Sequence, residues 1–189
     1  MEDSKNNITG GMTMEEIMRL AREVGFDHVA ELNMAALVFR PEVREMCASG
    51  RCHAYGTRWS CPPAVGSLTQ IQRRTEKYRR GVVVQTTGKM THDFDAKGIF
   101  DAERRQKERF ETLVRQLRHM YPGCLPMGTG ACTICRKCTY PDRPCRYPER
   151  MFISMEAYGL MVNDVASASG LQYDYGPLTI TYTALVLID

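Results

Sequence analysis

The chain has 189 residues, 43% of them apolar and 25% charged, with a formal net charge of +3. That balance excludes a disordered polar chain and a tiny fold dependent on metal for cohesion; it suits one domain, or one domain with a small metal-bound lobe. The polar start from Met1 to Thr13 lacks a leader-type apolar stretch, and the longest apolar runs, Met34 to Phe39 and Ala184 to Ile188, are far too short to span a bilayer, so neither export nor membrane insertion is expected.

Residues 1–12 read as a polar tail and 13–189 as a single metal-binding domain. Thr13 with Glu16 forms a capping box that opens a helix to about Val24, with Ile17, Leu20, Ala21 and Val24 on one face and Gly25 closing it. Asp27 to Leu32 suits a strand, and Pro41 to Met46 a short helix leading into Cys47. Ser67 with Gln70 makes a second capping box, starting a helix to about Tyr78. Gly81 to Thr87 reads as a buried strand. Phe100 to Met120 reads as a long amphipathic helix with Phe110, Leu113, Val114 and Leu117 in register. A short strand is expected at Cys124 to Met127. Ser154 then caps an expected helix carrying Tyr158, Met161, Val162 and Val165 and ending at Gly170, and Thr179 to Ile188 forms the last strand. Helices and strands alternate, so the fold class is α/β or α+β, with a small, mostly buried sheet, flanking helices and cysteine-rich loops.

Eight cysteines in a chain without an export signal read as ligands or redox groups in a reducing cytoplasm, not as a disulfide framework. Cys132, Cys135 and Cys138 follow Cys-x2-Cys-x2-Cys spacing in one tight loop. Successive thiolates at that spacing reach neighbouring irons of a [4Fe–4S] cubane and leave intervening N–H groups free for the sulfides. The fourth iron needs a ligand from outside the loop. Cys145 can supply it after a turn built from Pro141, Asp142 and Pro144. A single zinc ion is the rival. It usually takes two Cys-x2-Cys pairs from separate segments, which makes a third cysteine at this spacing surplus.

Cys47, Cys52 and Cys61 form a second, looser set at Cys-x4-Cys-x8-Cys, ending in Pro62-Pro63 and enclosing Tyr55, Gly56 and Trp59. Three cysteines leave one position to fill. Candidates are Cys124, His53, a ligand from outside the protein, or none. Cys124 stands in an apolar stretch and suits burial as a small residue. His53 adjoins Cys52, so both side chains would not easily reach one cluster. An iron without a protein ligand would meet the requirement for cluster-based catalysis.

Arg51, Arg58, Arg136, Lys137, Arg143 and Arg146 flank the two sets. Positive charge favours thiolates and metallation, although solvent screens it at exposed positions. A [4Fe–4S] core with four thiolates carries about −2, so two would take the +3 chain to about −1. Basicity therefore does not argue for nucleic acid, and the basic runs Arg73 to Arg80 and Arg104 to Arg109 read as solvated helix faces. His92, Asp93 and Asp95 read as a solvated loop. Gly128-Thr129-Gly130 leads into cysteines and lacks the helix of a phosphate loop.

The motif Cys47, Arg51-Cys52, Tyr55-Gly56, Trp59, Cys61-Pro62-Pro63 with Val65-Gly66-Ser67 resembles the predicted metal-binding family known as domain of unknown function 2284. So do Cys132-x2-Cys135-x2-Cys138-Thr139-Tyr140-Pro141, Pro144-Cys145-Arg146-x-Pro148-Glu149, and Ser154-x-Glu156-Ala157-x-Gly159 with the closing strand. The resemblance covers most of the chain from about Thr13. It implies a bacterial or archaeal protein, most often from an anaerobe, that binds metal, and it supplies no reaction.

Three functions follow as expectations. The leading one is an iron–sulfur protein with one or two [4Fe–4S] clusters that passes electrons to or from a partner protein. The second is an oxidoreductase or sulfur-handling enzyme that uses an open iron at Cys47, Cys52 and Cys61. The third is a zinc-stabilised interaction module.

Overall fold

The computed structural model describes residues 11–50 and 52–189. Most of the expected polar tail, and Arg51, lie outside the described residues. The fold is α+β. Helices α1 (Met14–Val24), α2 (Pro41–Ala48), α3 (Leu68–Thr75), α4 (Ala96–Met120) and α5 (Val162–Ala168) surround strands β1 (His28–Glu31), β2 (Arg80–Lys89), β3 (Leu125–Gly128), β4 (Ile153–Ser154) and β5 (Thr179–Ile188). The strands form one mixed sheet in the order β1-β2-β5-β3-β4. All neighbours are antiparallel except β3 and β4, and the long β2–β5 pair runs from Arg80 opposite Ile188 to Lys89 opposite Thr179.

Alternation along β2 and β5 sends side chains to both faces, and both faces are covered. On one face Val82, Val84, Ala184, Val186 and Ile188 meet Ile17 and Ala21 of α1 and Phe110, Leu113, Val114 and Leu117 of α4. On the other, Val83, Leu185 and Leu187 meet Ile71 of α3, Val165 of α5, Met155, Tyr158 and Leu160. Each fully buried Leu, Ile or Phe contributes about 1.5–3 kcal/mol from burial.

Local signals explain the helix starts. Both capping boxes form: Thr13 accepts from the Glu16 N–H and Ser67 from the Gln70 N–H, and each partner's side chain reaches back. Gly25 ends α1 in the left-handed region at φ 106°, donating its N–H to the last turn.

Four expectations need correction. First, α4 begins at Ala96, not Phe100, because Asp95 caps it, accepting from the N–H of Gly98 (2.9 Å) and from the N–H and Oγ1 of Thr91 (3.0 and 2.9 Å). Asp95 is therefore a cap, not part of a solvated loop; these hydrogen bonds hold its pKa down at about 2. Second, α3 stops at Thr75, ahead of Tyr78. Third, α2 runs on to Ala48, so Cys47 lies within its last turn. Fourth, no helix starts at Ser154. That residue ends β4, its Oγ accepts the Ala157 N–H at 3.2 Å, and 155–159 form a tight turn. Gly159 at φ 85° stops helical propagation, and a Cβ there would lie 2.7 Å from Leu68 Cδ2 and 3.1 Å from Arg40 O.

Candidate metal centre

The Cys132 loop leaves the sheet at the end of β3 and is tied down immediately. Lys107 of α4 donates to Ala131 O (2.8 Å), Arg58 donates to Cys132 O (3.0 Å), and the Cys132 N–H donates to Ser60 Oγ (3.1 Å). Farther on, Thr139 Oγ1 donates to Pro144 O (2.9 Å) and Arg146 to Lys137 O (3.1 Å), which folds the Pro141–Pro144 turn back on the loop. Trp59 Nε1 donates to Arg143 O (3.0 Å), and its ring meets Tyr140 edge-on at 5.0 Å. Cys132, Cys135, Cys138 and Cys145 all line one small cavity under Trp59, Ile134 and Met151. The cavity measures about 20 Å³, room for a single water-sized group.

The looser set is gathered by tertiary structure. Helix α2 supplies Cys47 from its last turn, Cys61 is buried, and Cys52 sits on an exposed turn. The Gly56 N–H donates to Pro62 O (2.8 Å), closing the intervening loop on itself. Cys47, Cys52 and Cys61 line a second cavity of about 260 Å³, walled by Val43, Tyr55, Pro62, Ala131 and Glu156. The two cavities adjoin. Ser60 Oγ lies 3.6 Å from Cys61 Sγ and also holds the Cys132 N–H.

Burial sets the thiols' electrostatics. Desolvation pushes Cys47, Cys61 and Cys132 above the usual thiol range, reinforced at Cys47 by Cys52 and the Glu156 carboxylate. Burial also acts upward on Cys138, but the N–H groups of Tyr140, Trp59 and Thr139 outweigh it and its pKa falls below that range. Of the flanking cations, Arg58 is half-buried and engaged with the Cys132 loop, whereas Arg136, Lys137, Arg143 and Arg146 are exposed and screened.

Cys124 joins neither cavity. It is buried with Tyr121, Leu117 and Ile188 on the α1–α4 face, at the opposite end of β3 from the cysteine loops. His53 is exposed and does not line the Cys47 cavity. Sequence reasoning passed over Ser60, which joins the two loops, and gave no role to Glu156. The only sequence signal for Glu156 was its place in the Ser154-x-Glu156-Ala157 motif.

A scan against protein families matches residues 30–188 to the family described as predicted metal-binding protein, DUF2284. The chain belongs to this family. The match takes in every cysteine of both cavities and starts just beyond α1. No curated protein and no solved structure matches the chain. The DUF2284 description names no metal, so the donor set must be tested for fit. Among the described residues, no three Cys, His, Asp or Glu side chains are placed to hold one metal ion together. Seven thiols nevertheless line two adjoining cavities. Buried polar atoms beside the larger cavity also lack partners: Glu156 Oε2, and Nε and Nη1 of Arg44, one helical turn before Cys47. Thiols, a carboxylate and guanidinium N–H groups fit an iron–sulfur group, whose irons take anionic ligands and whose sulfides accept hydrogen bonds.

Proposed function

We propose that this DUF2284 protein is an iron–sulfur protein that relays electrons. In this reading Cys132, Cys135, Cys138 and Cys145 hold one [4Fe–4S] cluster, and Cys47, Cys52 and Cys61 hold a second. The observation that carries the reading is the pair of thiol-lined cavities sharing the Ser60 hydrogen-bond bridge. Thiols that line a cavity without meeting at one point suit irons at separate corners of a cubane better than they suit a single ion. Adjacent clusters would let an electron enter at one and leave from the other toward a partner protein. The half-buried Arg58 beside the Cys132 loop would raise a cluster's potential by favouring its more negative reduced form.

Anaerobic purification followed by iron and sulfide analysis and electron paramagnetic resonance tests this. Brown protein with iron and acid-labile sulfide in equal amounts, and two reduced-state signals, is expected. Colourless, zinc-loaded protein from anaerobic cells would sink it.

One observation favours zinc as a second reading at the tighter site. The Cys132 cavity of about 20 Å³ is nearer the size of a single ion than of a cubane, although its four thiols would still have to close on that ion.

A further inference from the structure

We propose that Glu156 is the fourth ligand of the Cys47–Cys52–Cys61 site, completing a three-thiolate, one-carboxylate set. The inference rests on the iron–sulfur reading above and assigns the position that the cysteines leave open. Glu156 lines the same cavity as the three thiols. Its Oε2 is sealed from solvent and has no hydrogen-bond partner. A buried carboxylate oxygen in that state is costly unless something positive meets it.

The cation that shares Cys47 with Glu156 does not resolve the cost. Arg44, one helical turn before Cys47, and Glu156 both act on the Cys47 thiol, yet no ion pair joins the two among the described residues. Arg44 donates through Nη2 to Gly66 O (3.1 Å) and leaves Nε and Nη1 buried without acceptors. Among the described residues five buried side-chain polar atoms lack partners, and three belong to these two residues. An unmatched acceptor and unmatched donors around the same cysteine are satisfied together by a group with cationic metal at one point and anionic sulfur at another. A metal cluster has that polarity. A single water would satisfy part of the set and leave the rest unmatched.

The backbone holds Glu156 in place. β4 ends at Ser154, and the turn that follows is tied by the Ala157 N–H to Ser154 Oγ (3.2 Å), the Tyr158 N–H to Ser154 O (3.1 Å) and the Gly159 N–H to Glu156 O (2.8 Å). Arg40, at the start of α2, donates its N–H to Gly159 O at 2.8 Å. The turn bearing Glu156 and the helix bearing Cys47 are therefore stitched together directly. Cys124, in the core, and His53, outside the cavity lining, are removed from the same position.

The experiment compares wild type, Glu156→Gln and Glu156→Cys, purified anaerobically, by iron and sulfide content and by electron paramagnetic resonance. Glu156→Gln is expected to lose about half of the iron and to keep the signal of the Cys132 site. Glu156→Cys is expected to retain full iron and to change the signal of the Cys47 site alone, because a thiolate replaces the carboxylate. Wild type with only one cluster would overturn the two-cluster reading itself. Two clusters in wild type with unchanged iron and spectra in both variants would overturn the Glu156 assignment alone. Loss of both clusters in both variants would also overturn it, assigning Glu156 to folding.

Discussion

Cys124 and Cys132 stand eight residues apart in the chain but at opposite ends of β3, and their surroundings give them different chemistry. Cys132 lines the four-cysteine cavity. Cys124 packs against Tyr121 and Ile188, where burial pushes its thiol up and keeps it protonated. Replacing Cys124 by Ala should leave iron and sulfide content unchanged while costing about 1 kcal/mol of stability through a small cavity. Metal analysis beside urea denaturation checks both halves; a drop in iron would return Cys124 to the site. Residue-level legibility follows the same division. The four cysteines that line the Cys132 cavity were readable as a set because their spacing is local. The role of Glu156 was not, because it depends on β4 and α2 meeting across more than a hundred residues of chain.

At the scale of elements, capping and period read α1, and period read β5 and the body of α4, because their buried faces are long enough to show a repeat; the Asp95 cap and the first turn of α4 were missed. The stretch after Ser154 misled the same reasoning. Tyr158, Met161, Val162 and Val165 carry a helical repeat, but Gly159 interrupts it with a left-handed residue packed against Leu68 and Arg40 O. The repeat there records burial against the sheet, not a continuous helix. Gly159→Ala should therefore destabilise the protein by about 2 kcal/mol, from φ strain and the contact with the Arg40 carbonyl. Because the same turn carries Glu156, the variant should also bind less iron at the Cys47 site than at the Cys132 site. Denaturation midpoints together with cluster-resolved paramagnetic resonance test this, and full iron at both sites would contradict it.

For the whole molecule, a sheet covered on both faces leads us to expect an apoprotein that keeps its fold, and pH should then act on apo and loaded forms in opposite directions. Burial raises Tyr158 and Tyr182 from 10.0 to about 12, and raises Cys47, Cys61 and Cys132 from 9.0. A group raised in the folded state gives stability that is fully present below its unfolded pKa and lost as pH rises through its folded pKa. The apoprotein's melting temperature should thus hold to about pH 9 and fall above it. Metal uptake by these thiols would release their protons, so affinity should instead strengthen as pH rises toward the same range. Melts of chelated protein and metal titrations across pH give both slopes; an apo melting temperature that climbs above pH 9 would refute the first.

Ser60 links Cys61 to Cys132, and Ala131 beside it walls the Cys47 cavity. A partition held in common makes occupancy of either compartment the neighbour's concern. If both compartments take up a group, the first to arrive would stiffen the wall that the second must meet and offset part of the second's ordering cost. In wild type short of metal, the second compartment should then fill more readily than the first.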